Sequence, residues 1–152
     1  MNLAELVKEA QQLRDSVELG TLADGPAELH KRLLQARACI DRLEAITRTI
    51  SLLKGRTAIA LDDAQYNLDD AYAKVVGKTR RGDDYSTGKE REAGYSVGTV
   101  AEQVAWRRAK TADREAYTAL EFCRSCQKGA ESVRWDLDTV IRLLTLEGRL
   151  DH

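Results

Sequence analysis

One aliphatic stripe governs what this chain can become. Leu29, Leu33, Ala36, Ile40, Leu43, Ile46, Ile50 and Leu53 recur three or four residues apart, the spacing that gathers side chains on one narrow face of an α-helix. The stripe resumes as Leu61, Ala64, Leu68, Ala71 and Val75. Gly55 stands between the two stretches, and a glycine inside a helix costs only about 1 kcal/mol. Residues 27–76 therefore predict a long helix, either continuous or broken near Gly55. A helix this long with so thin a stripe needs a partner helix. Phenylalanine occurs once and tryptophan twice among 152 residues, so large core residues are scarce, and the seams are expected to be completed by neighbouring copies of the chain.

Other segments carry the same pattern. Leu3, Leu6, Ala10, Leu13 and Val17 predict an N-terminal helix over residues 1–19, stopped by Gly20. Gly25-Pro26 separates it from the long helix, with Pro26 placed where the first turn of a helix tolerates a missing N–H. Periodicity stops across residues 77–88, a basic, glycine-containing stretch that predicts a loop, and Thr87 with Glu90 resembles a capping box. Residues 89–148 predict C-terminal helices, whose stripe runs through Leu120, Cys123, Ala130, Val133, Leu137, Val140 and Leu144 to a stop at Gly148. No alternation of β-branched residues marks a strand. The expected fold is a single all-α domain over residues 1–152, an elongated bundle of long amphipathic helices with coiled-coil-like seams, assembling as a homo-oligomer.

The chain has no apolar run long enough for a membrane span and no signal-peptide pattern at its N-terminus. A cytoplasmic location with no membrane partner is expected. Three cysteines, an odd number in a chain poor in cysteine, point to reduced thiols.

Charge is more informative than its total of −1 suggests. From Thr57 to Ala73 there are four acids, Asp62, Asp63, Asp69 and Asp70, and no base; from Lys74 to Arg114 ten bases stand against six acids. An acidic helix is followed by a basic segment. Lys78, Arg80, Arg81, Lys89 and Arg91 cluster there, with Tyr72, Tyr85, Tyr95 and Trp106 interleaved. Non-specific single-strand binding needs that combination, because cations displace phosphate counterions and aromatic faces stack on bases. The plain alternative is a solvated, charge-rich loop.

The remaining motifs are weaker. Asp62 with Asp69, and Asp63 with Asp70, share a helix face and could in principle bridge a metal, but neither Glu-x-x-Glu nor Glu-x-x-Asp occurs, and a solvated face is the better reading. Cys123-Arg124-Ser125-Cys126 is a lone C-x-x-C with no second pair to complete a zinc site and no strand before it, so its cysteines read as small core residues. His30 and His152 are the only histidines, and no phosphate-loop motif occurs. A non-enzymatic protein without metal or cofactor is expected.

Several short elements, in order, resemble the UvsY-like family of phage recombination mediators. They are Leu53-Lys54-Gly55-Arg56, the turn Arg81-Gly82-Asp83-Asp84-Tyr85-Ser86, then Leu120-Glu121-Phe122-Cys123-Arg124-Ser125, Ala130-Glu131-Ser132-Val133-Arg134 and Leu146-Glu147-Gly148. The likeness covers about the last two thirds of the chain. It implies a ring-like homo-oligomer, hexameric or heptameric, that binds single-stranded DNA and helps a RecA-type recombinase displace single-strand binding protein during DNA recombination and repair. It implies a bacterial host cytoplasm, and it adds Lys54 and Arg56 as DNA contacts beside Lys78, Arg80, Arg81, Lys89, Arg91 and the stacking candidate Tyr85. The competing expectation is a coiled-coil assembly or adaptor protein with no affinity for nucleic acid.

Overall fold

The computed structural model describes residues 2–17, 25–81, 94 and 97–150, with side chains excepted at 77–81 and 149–150. Three helices dominate: α1 (Leu3–Ser16), α2 (Pro26–Arg81) and α3 (Val100–Leu150). No helix among the described residues is long and apolar enough to cross a membrane.

Local chemistry explains the helix ends. Asn2 caps α1: its side chain accepts from the Ala4 N–H at 3.3 Å, while its own N–H donates to Glu5 Oε2 at 3.0 Å, a reciprocal box that satisfies donors with no partner inside the helix. The helix ends at Ser16, before Gly20, because Val17 turns extended and donates its N–H to the Arg14 carbonyl. The Ser16 hydroxyl also donates to the Leu13 carbonyl at 2.7 Å. Pro26 opens α2 as its first residue, and the Gly25 carbonyl accepts from the Glu28 and Leu29 N–H groups at 3.0 and 3.1 Å.

The course of α2 decides between the two alternatives at Gly55 and corrects the expected end of the helix. It passes through Gly55 without a break, where an added Cβ would meet nothing within 4 Å. It also continues through Arg81 where a loop was expected from residue 77. Gly77 alone cannot stop a helix, and Lys78, Thr79, Arg80 and Arg81 all accept helical backbone. The C-terminal half is likewise one helix: α3 runs 51 residues and includes Gly129 and Gly148, so Gly148 is no stop. Residues 82–93, with the expected capping box at Thr87, lie outside the described residues.

The helices divide into two compact units, Met1–Leu52 with Thr118–His152, and Leu53–Tyr117. The first holds most of the apolar core. Leu29, Leu33 and Ala36 cluster with Leu137, with Val17, Val133, Val140, Ile141 and Leu144 packed around them. Farther along α2, Leu43, Ile46 and Ile50 are buried, as are Cys123, Cys126 and Ala130 on α3 and Leu6 and Ala10 on α1. The α1 and α2 segments run antiparallel: Ser16 Oγ lies 3.5 Å from Cys39 Sγ, and Arg42 donates to Glu9 at 2.6 Å. The seam of α2 expected to await neighbouring copies is thus filled by α1 and α3 of the same chain. The sequence stripe shows that a partner helix is needed, but carries nothing about which chain supplies it.

The second unit is an antiparallel pair, residues 53–81 of α2 against the N-terminal part of α3. Leu68 and Ala116 are its buried apolar residues among those described. Half-buried Leu61, Ala64, Ala71, Val75 and Trp106 line the same pair of helices, together with polar pairs. Gln103 Nε2 donates to the Tyr72 hydroxyl at 3.0 Å and to Thr99 Oγ1 at 2.9 Å, and Thr99 is fully buried. At Gly98 a Cβ would come within 2.9 Å of Val75 Cγ2, so the lack of a side chain there permits the close approach.

Candidate nucleic-acid interface

The expected DNA-binding residues fall into three groups. Tyr85, Lys89 and Arg91 lie outside the described residues. Lys78, Arg80 and Arg81 occupy the last turns of α2, where the negative end of the helix dipole favours cations. Lys54 and Arg56 sit on α2 within the second unit and differ sharply from each other.

Lys54 belongs to the helix seam. Its ammonium donates to Asp113 Oδ1 on α3 at 2.8 Å, and both side chains are largely covered. Thr57 Oγ1 donates to the same carboxylate oxygen at 3.0 Å and also lies 3.0 Å from the Lys54 carbonyl. Hydrogen bonding from Lys54, supported by Thr57, holds the Asp113 carboxyl below the usual carboxylate range. The Lys54 charge is therefore committed inside the chain. Arg56, two residues on, is exposed and has no ion pair or hydrogen bond among the described residues.

Of the interleaved aromatics, Tyr72 is half-buried and engaged with Gln103. Trp106 carries the Lys110 ammonium 4.6 Å from its ring centroid, a cation–π arrangement that already uses that ring face. Tyr95 lies outside the described residues.

The acidic residues do not converge on a metal. Asp62 and Asp63 point into solvent, Asp69 accepts from Gln65 at 2.9 Å, and Asp70 pairs with Lys74. No group of three or more ligating side chains comes together among the described residues. Cys123 and Cys126 are buried core residues with free thiols. Burial, with the neighbouring Cys126, pushes the Cys123 thiol up to about 11, and burial raises Cys126 as well. Both shifts disfavour the thiolate.

Asp113 is the residue that sequence reasoning passed over, counted only as one acid of six in the basic segment. A signal was present. With Trp106, Ala109, Ala116 and Leu120 it keeps the three-and-four spacing of the α3 stripe, and Lys54 follows Ile50 by four on the α2 stripe. Charges of opposite sign at seam positions of two helices are candidates to pair.

No family model, no curated protein and no solved structure matches this chain.

Proposed function

We propose that this protein is a non-enzymatic, single-stranded-DNA-binding recombination mediator that works as a homo-oligomer and helps a RecA-type recombinase displace single-strand binding protein. The observation that carries the reading is the uninterrupted course of α2. One helix bears the exposed Arg56, which has no ion pair among the described residues, and ends in the bases Lys78, Arg80 and Arg81. Cations along one helix neutralise successive backbone phosphates without reading base sequence. A single copy offers few such contacts, and a homo-oligomer multiplies them through effective concentration.

A second reading, a helical assembly protein with no affinity for nucleic acid, is favoured by the engagement of Lys54 with Asp113. That ion pair engages one of the bases expected to contact phosphate in packing between helices. Size-exclusion chromatography with light scattering, with and without a labelled single-stranded oligonucleotide, separates the two. Co-elution of the oligonucleotide with the protein at low salt supports the mediator. No co-elution at roughly tens of micromolar, the weak end of non-specific binding, leaves only the assembly protein.

A further inference from the structure

The second unit has few fully buried apolar residues among those described and leaves apolar side chains on both outer faces. On α2, Ile59 and Tyr66 are 63 % and 74 % exposed. They are seven residues apart and so share a face, and each stands two positions from a seam residue, Leu61 or Leu68, about 200° around the helix. At the start of α3, Val100 and Val104 are 53 % and 41 % exposed and four residues apart, and Val97, just before the helix, is 76 % exposed. Val104 precedes the seam residue Asp113 by nine positions, two and a half turns, and therefore faces directly away from α2.

Charge distinguishes these two faces. Asp62 and Asp63 flank Ile59 and Tyr66, in a stretch from Thr57 to Ala73 that holds no base. Arg107 and Arg108 follow Val104, in a stretch over residues 103–112 that holds three bases and no acid. All four of these side chains are exposed, and none has an ion pair among the described residues. The faces lie on opposite sides of one helix pair and cannot meet within the chain. Each has the apolar centre and charged flank that the other lacks.

We infer that the outer face of α2 around Ile59 and Tyr66 is the docking surface for the outer face of α3 around Val100 and Val104, with Val97 just before that helix, of a second copy of this chain, and with Asp62 and Asp63 opposite the second copy's arginines. This rests on the homo-oligomer of the proposed function and assigns its surfaces. Like faces would set acid against acid or base against base, which disfavours a two-fold contact. The contact is heterologous, face to opposite face, and so propagates from copy to copy until it closes. Complementary charge at such a rim sets partner choice and register.

The test is light scattering at low ionic strength, without DNA, on the full chain and three variants: Asp62→Arg with Asp63→Arg, Arg107→Asp with Arg108→Asp, and all four together. All four positions are exposed, and circular dichroism checks that each variant keeps its helix content. The parent chain is expected to assemble, and each double variant to dissociate at about tenfold or more higher concentration. The fourfold variant, in which the charges are exchanged, recovers assembly, and an equimolar mixture of the two double variants forms a complex. A monomeric parent overturns the inference, as do double variants that assemble like the parent or a fourfold variant that stays dissociated. If the assembly pattern holds while the parent fails to bind an oligonucleotide, the DNA-binding reading falls and this one stands.

Discussion

The Lys54 ammonium lies 2.8 Å from the Asp113 carboxylate, joining α2 to α3 at positions where each apolar stripe would otherwise continue. The pair, with Thr57, is a polar layer in a seam with few fully buried apolar residues among those described. A charged pair at one seam position fixes register, because sliding either helix leaves both charges beside apolar neighbours.

The Asp113 carboxyl is held below its ordinary range by the hydrogen bond from Lys54. Its folded-state value is depressed, so its contribution to stability is fully present above the ordinary carboxylate pKa, about 4, and is lost as pH falls through the folded value. Melting temperature followed downward from pH 6 is expected to drop less steeply in Asp113→Asn than in the parent below about pH 4. Equal slopes in the two proteins would contradict the pairing.

Gly55 is exposed within an unbroken helix, and a Cβ there meets nothing. Gly55→Ala is expected to stabilise by about 0.5–1 kcal/mol, chiefly by restricting the unfolded chain. A loss of stability in chemical denaturation would show that the helix bends at this position.

Ile46 and Ile59 are the same residue type on one helix with opposite environments, the first 1 % exposed in the core of the first unit and the second on an outer face. Ile46→Ala is expected to cost about 2–5 kcal/mol. Ile59→Ala is expected to change the stability of dilute, dissociated protein by less than about 0.5 kcal/mol. A large loss at Ile59 under those conditions would mean that the face is covered within the chain.

The buried Cys123 thiol, with its pKa pushed up to about 11, is expected to resist alkylation. Labelling with a maleimide at neutral pH should proceed about a hundredfold or more slower in native protein than in denaturant, because it must wait for opening of the helix packing. Labelling at the rate of a free thiol would contradict the burial.

The stripe from Leu29 to Ile50 was legible in the sequence because helical spacing alone places those residues on one face, and they are buried as that spacing implies. Cys123 and Cys126 were legible for the same reason. The partner of the stripe was not: nothing local says whether a seam is filled by the same chain or another, and here α1 and α3 fill it. Gly55 was ambiguous because helix propensity is a small energy that packing along the stripe overrides. Of the candidate site, the exposure of Arg56 and the engagement of Lys54 could be separated only by the register of α2 against α3, since both are bases on the same helix two residues apart.

The most direct measurement is the affinity for a labelled single-stranded oligonucleotide as a function of salt, taken on the parent chain, on Arg80→Ala with Arg81→Ala, and on Lys54→Ala. The logarithm of affinity is expected to fall linearly with the logarithm of salt. The double variant should flatten that slope by about 1.4, two phosphate contacts at about 0.7 each, and Lys54→Ala should leave it nearly unchanged. Affinity that is absent at low salt, or present with a slope indifferent to Arg80 and Arg81, would contradict this expectation.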